Sequence, residues 1–181
     1  MSWHTAILHW KHGGVPELLT APRVMTGDET VTDGAVAIGD RTVDWAGPAG
    51  VLPAEYASLP RTDYPGSTIM PGLIDSHVHL AFDGGPNPAA RMRAETDAQQ
   101  LMLMLHSARE LLGVGVTTAR DLGARGYLSV AVRDAIAAGL ARGPRLVVAA
   151  SPVTVTGRLA TTIRGPGARP SAIASRTTTS R

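Results

Sequence analysis

Residues 66–80 read GSTIMPGLIDSHVHL, an apolar run that closes on two histidines with one valine between them. The STIMPGLID portion has the length and continuous apolar character of a strand buried on both faces of a parallel sheet. In a strand, side chains two residues apart share a face and lie about 6.6 Å apart along the chain. His77 and His79 are therefore expected to converge on one side, while Val78 points to the other and packs. The pair closes the run, so it belongs at the strand's C-terminal end. Two imidazoles at this spacing look like half of a metal site, and neutral imidazole suits zinc and other transition metals. An isolated His-x-His is more often a surface pair, so the surroundings decide.

Outward from this run the pattern is regular. A Gly/Pro/Asn-rich loop (82–90, FDGGPNPAA) follows it. Residues 91–112 lack Gly and Pro and carry helix formers throughout, which predicts one helix, with Gly113 placed to end it. VGVTTARD (114–121) reads as a second buried strand, YLSVAVRDAIAAGLA (127–141) as a second helix and PRLVVAASPVTVTG (144–157) as a third strand. Strands alternating with helices through tight connections predict parallel α/β architecture. Upstream, residues 17–66 read as a small β-domain of short strands. Its clearest part is a hairpin in which GAVAI (34–38) turns through Gly39-Asp40-Arg41 into TVDWAG (42–47). Gly47-Pro48, Pro53 and Pro60 then predict loop or linker. Residues 1–16 form an N-terminal extension.

Composition narrows the function classes. Without cysteine, disulfides and thiolate-bound zinc are excluded. The N-terminus has neither a charged leader nor a long apolar segment, and no stretch approaches the roughly 20 apolar residues of a membrane helix. A cytoplasmic protein without a membrane partner is the expectation. The basic balance is local: residues 1–157 hold 12 of the 17 Lys and Arg and all 15 Asp and Glu, while residues 158–181 hold the other five basic residues, all arginine. That tail has neither lysine nor an aromatic for base stacking, so no nucleic-acid partner is expected.

PGLIDSHVHL (71–80), preceded by short strands and followed after one helix by GVTTARDLG (115–123), closely resembles the N-terminal part of the metal-dependent amidohydrolase superfamily over roughly residues 20–157. GVTTARDLG is similar to the prolidase-like and imidazolonepropionase-like branch. The resemblance implies a truncated (β/α)₈ TIM-type barrel of about three βα units, preceded by a small β-sandwich-like domain. It implies a divalent metal, zinc foremost, bound by His77 and His79. In the family a bridging lysine or acid, two further histidines and an aspartate complete one or two metal sites. Metal-activated water then hydrolyses an amide or cyclic amide, with the aspartate passing a proton to the departing nitrogen. The implied substrate is a small molecule such as an N-acyl amino acid or an Xaa-Pro dipeptide, and the intact enzyme is expected to form a homo-oligomer.

The transfer of family residues stops at His77 and His79, because this sequence has no lysine after Lys11 and no histidine after His106. No catalytic residue is assigned. His106 lies mid-helix and is expected in the core or on the surface, and His4, His9 and His12 match nothing. Asp75 is expected as a structural hydrogen-bond acceptor, Arg120 and Asp121 as a loop-fixing ion pair rather than substrate contacts, and Met102 and Met104 as core.

Residues 67–157 supply about three of the eight barrel strands, and residues 158–181 have neither helical nor strand periodicity. Shifting LATTIR by one base converts its Thr and Ile codons to His, Asp, Asn or Tyr codons. The aberrant tail is therefore expected to be a frameshifted translation, with a genuine disordered terminus as the alternative. A three-strand fragment would expose an apolar edge, so little or no activity and poor solubility are expected of the chain alone. The rival readings are a non-catalytic fragment binding metal weakly through His-x-His, and a basic-tailed binding protein.

Overall fold

The strands β1 (Glu17–Met25), β2 (Thr30–Ile38) and β3 (Val43–Pro48) run as an antiparallel meander. They belong to a computed structural model that describes residues 15–40 and 42–151. The described chain divides between Leu73 and Ile74 into two compact units.

In the first unit the predicted hairpin is present, closed by a Gly39 N–H bond to the Thr42 carbonyl at 2.9 Å. β4 (Arg61–Asp63) and β5 (Thr68–Ile69) add in parallel to the other edge of β1, giving the order β3-β2-β1-β4 with β5 also on β1. Pro22 lies in the middle of this central strand and has no N–H to give a ladder. It falls where pairing passes from β4 (residues 18–20) to β5 (residues 23–24). The register with β2 steps over Pro22 and Asp33, and Asp33 takes a positive φ of 47°. Gly34 is required by a close approach: a Cβ there would lie 2.5 Å from Val24 Cγ2.

Both faces of this sheet carry apolar clusters. Leu19, Val24, Val31 and Val36 pack on one another in the first, while Leu18, Ala35 and Ala37 pack with Trp45, Leu52, Tyr56 and Leu59 in the second. Among the described residues the unit has one five-stranded sheet. The proline-punctuated stretch after β3, expected as loop or linker, contributes to the second cluster and includes two short 3₁₀ turns (Ala49–Val51, Ala54–Tyr56).

The second unit is α/β. Its sheet has the order β6-β7-β8, with β6 at Leu73–Val78, β7 at Val116–Asp121 and β8 at Arg145–Val148; β7 and β8 pair in parallel. STIMPGLID is therefore not one strand. Thr68–Ile69 pairs in the first sheet, Pro71-Gly72 interrupts the run and the remainder begins the second sheet. Nor is β6 buried on both faces, since Leu73 is 46% and Ile74 75% exposed. It ends the strand order and has one strand neighbour among the described residues.

The single helix expected over 91–112 is two. α1 (Pro88–Ala94) starts with Pro88 in its first turn and the Asn87 side chain accepting from Ala90 N at 3.2 Å. At Glu95 the backbone turns extended, and α2 (Asp97–Gly113) restarts on a capping box between Thr96 and Gln99. The buried Arg125 fastens the junction, donating to the carbonyls of Met92 at 3.0 Å and Glu95 at 2.9 Å and pairing with Asp97 at 2.9 Å. α3 (Leu128–Ala137) stops before Gly139, which has φ of 74°. The core gathers Leu80, Met92, Met104, Ala108, Ala119, Val132 and Leu146. Met104 is fully buried as expected, but Met102 is 66% exposed, because it lies on the outer face of α2. No described helix is long and apolar enough to cross a membrane. The segment 158–181, residues 1–14 and the end of the strand expected over 144–157 lie outside the described residues.

Candidate functional site

Three backbone hydrogen bonds tie together the loops that leave the C-terminal ends of the second sheet. Leu122 N–H donates to the Val78 carbonyl (3.0 Å), Ala149 N–H to the Asp121 carbonyl (2.9 Å) and Ala124 N–H to the Ala150 carbonyl (3.0 Å). His77 is the penultimate residue of β6, and His79 is the first residue beyond it. Their rings face each other edge to face with centroids 5.5 Å apart, so the two imidazoles do share one side. Val78 packs against the core as the alternation requires.

Each histidine is held by local hydrogen bonding. The backbone N–H of His77 donates to Asp75 Oδ1 at 3.0 Å, so Asp75 is the structural acceptor expected of it. The His79 ring places Nδ1 3.1 Å from the Gly123 carbonyl and stacks obliquely on Phe82 at 5.1 Å. A carbonyl only accepts, so His79 Nδ1 carries the hydrogen, and in the neutral ring Nε2 is the nitrogen with the lone pair. This is the tautomer a ligand needs when its other ring nitrogen is tied to a carbonyl.

The donor set fits a metal in kind but is incomplete in number. Neutral imidazoles suit zinc, whereas a catalytic zinc site has three protein ligands. Among the described residues no group of three His, Cys, Asp or Glu side chains is gathered where it could hold an ion. His106 is exposed on α2 and lines, with His79, Phe82, Asp83 and Arg91, a cleft of about 550 Å³.

Arg120 and Asp121 do not form the expected ion pair. Arg120 points outward as an exposed residue of β7, whereas Asp121 is fully buried. Asp121 does fix the loop, by accepting backbone hydrogen bonds: from Leu80 N to Oδ2 at 3.0 Å and from Gly123 N to Oδ1 at 2.9 Å. Sequence reasoning missed this, although Asp-Leu-Gly has the form of an Asx turn, in which an aspartate caps the N–H two residues on. On the far side of His79, Asp83 accepts from Gly85 N at 3.0 Å and pairs with Arg91, which also bonds Glu95. The Gly85 N–H and then Arg91 hold the Asp83 carboxyl below its ordinary value. Arg91 first, with Gln100, does the same for Glu95.

The chain is similar to several known proteins. An imidazolonepropionase of Paraburkholderia phymatum is 38% identical over 73 residues, 40% of this chain and 16% of the relative. The ochratoxinase of A. niger superposes with a TM-score of 0.62 at 28% identity, covering 74% of this chain and 31% of that one. A putative prolidase from Bifidobacterium longum gives 0.56 at 31% identity, covering 78% and 32%. The chain thus spans about a sixth of this curated relative and about a third of these solved structures. The family model described as "Amidohydrolase family" matches residues 68–179 and so runs on through most of the segment beyond residue 157. That match takes in β5, the whole second sheet and both histidines, and the chain belongs to the amidohydrolase family.

Proposed function

We propose that the second unit is the opening portion of a (β/α)₈ barrel in a metal-dependent hydrolase of C–N bonds, with His77 and His79 as ligands to a divalent ion, zinc foremost. The observation that carries this reading is the pairing of the two rings, 5.5 Å apart, with His79 Nδ1 held 3.1 Å from the Gly123 carbonyl, which leaves Nε2 of the neutral ring as the electron-pair donor to a metal. The βα order supports the barrel, and its active-site face is the one where strands end and loops begin. A bound divalent ion supplies a water made acidic enough to ionise near neutral pH and a Lewis acid for the scissile carbonyl. The chain's own residues hold and orient: Asp75 fixes the backbone of His77, Gly123 fixes the ring of His79 and Phe82 packs beside it. The described residues supply two such ligands, and a catalytic site of this kind needs at least one more together with a proton-transfer group.

The substrate class is a small molecule with an amide or cyclic amide bond. Curated relatives named imidazolonepropionase and neighbours named prolidase and ochratoxinase support this class. N-acyl amino acids and Xaa-Pro dipeptides are the forms to try first, and an oligomeric enzyme is the expected assembly.

Titration of the full chain with Zn²⁺ against a chromogenic chelator tests the reading. Stoichiometric uptake that is lost in both His77→Ala and His79→Ala is the expected result. Uptake of equal strength in either variant would refute the assignment. Weak, substoichiometric uptake would favour the non-catalytic alternative.

A further inference from the structure

We infer that Asp121 is a positioning residue for His79, holding it in the Nδ1–H tautomer by fixing both partners of the ring's hydrogen bond with one carboxylate. This rests on the proposed metal reading of His79. The Asp121 Oδ2 atom accepts the N–H of Leu80, the residue directly after His79, and so fixes the backbone that carries the ring. Oδ1 accepts the N–H of Gly123, whose carbonyl receives the His79 Nδ1–H. The donor's backbone and the acceptor's backbone are thereby tied to the two oxygens of one group. That group is fully buried and makes no ion pair among the described residues. The neighbouring cation, Arg125, is occupied by Met92, Glu95 and Asp97. Val78 and Leu122, each one residue before a clamped partner, are bonded to each other as well, so the clamp closes on a short and rigid frame.

A carboxylate presents two acceptors, and an amide of the same shape presents one acceptor and one donor group. In Asp121→Asn one of the two backbone N–H groups therefore faces an NH₂, and either Leu80 or Gly123 is released. The Gly123 carbonyl then drifts from His79 and the Nε2–H tautomer, which cannot ligate through Nε2, gains population. Loss of such a supporting group typically weakens metal binding about 10–100-fold.

Imidazole ¹⁵N shifts of the metal-free full chain read the tautomer, and competition with a chromogenic chelator reads Zn²⁺ affinity. The expected result is Nδ1–H at His79 in the unmodified chain, a shift toward Nε2–H at His79 but not at His77 in Asp121→Asn, and Zn²⁺ binding weakened about 10–100-fold. A variant that only melts earlier, with the His79 tautomer and Zn²⁺ affinity unchanged, overturns the role. If Asp121→Asn does not fold, couplings across the Leu80, Gly123 and His79 hydrogen bonds in the unmodified chain decide: their presence supports the clamp and their absence overturns it. An unmodified chain that shows the clamp and the tautomer but takes up no Zn²⁺ refutes the metal reading instead, which separates the two failures.

Discussion

β1 and β6 are both rich in apolar residues, as ELLTAPRVM and LIDSHV, yet they are packed in opposite ways. In β1, Leu18 and Leu19 are almost wholly buried, because β2 lies along one edge, β4 and β5 along the other, and clusters cover both faces. In β6, Leu73 and Ile74 are open to solvent, and burial begins only at the strand's end, where Val78 and Leu80 enter the core. Hydropathy marks a segment as able to be buried; the number of neighbours it acquires determines whether it is. The same contrast separates stability from function in this chain. The filled strand anchors its unit, whereas the open strand delivers two imidazoles to a loop cluster held by polar contacts.

The sharpest test of this contrast compares two truncations. Leu19→Ala should destabilise the first unit by about 2–5 kcal/mol, the usual cost of a buried leucine. Ile74→Ala, at an exposed site, should stay within about 0.5 kcal/mol. Urea unfolding of both variants checks this, and equal losses would mean that β6 is covered in solution. The close packing around β1 can be probed from the opposite direction. Gly34→Ala would push a methyl group into Val24 and should cost about 1–3 kcal/mol through overpacking, seen as a lower denaturation midpoint. A neutral result would show that Val24 moves aside.

The smallest effect concerns the loop after β6. Asp83 and Glu95 have carboxyls held below their ordinary values, Asp83 chiefly by Gly85 N–H and Glu95 chiefly by Arg91. Lowered carboxylate values add stability that is fully present above the unfolded value near ~4 and lost as the pH falls through the lower folded values. Amide protection factors in residues 83–96 should therefore fall as the solution is acidified below about pH 4. Arg91→Met should remove most of the part contributed by Glu95 and leave the part that the Gly85 N–H gives Asp83. In the first unit Asp63 is lowered in the same way, first by Thr20 and then by Arg61, so acid loosens the β1–β4 edge too. An acid response confined to one unit would show that the other network does not contribute.

Much of this was legible in the sequence because it depends on short-range geometry. Period-two alternation placed His77 and His79 together and sent Val78 inward. Gly39-Asp40 marked the hairpin and Gly113 the end of α2, whereas α3, expected to run to residue 141, stops at Ala137. The helix break was also written there, since Thr96-Asp-Ala-Gln99 is a capping box inside what otherwise reads as one continuous helix. The site was less legible. Asp121 looked like one half of an ion pair because it follows Arg120, but adjacent strand residues point to opposite faces, and its true partners are 41 residues earlier and two residues later.

The alternation of strands and helices, the shared face of the two histidines and the family motif that contains them are all readable from residue order, because each follows from local periodicity. That one apolar run serves two sheets, that β6 is open while β1 is enclosed, and that a buried aspartate caps the backbone of Leu80 and Gly123 beside His79 are settled by long-range packing. Those outcomes depend on which segments become neighbours across dozens of residues, and hydrogen-bond acceptors and burial are allotted by those neighbours rather than by the residues alone.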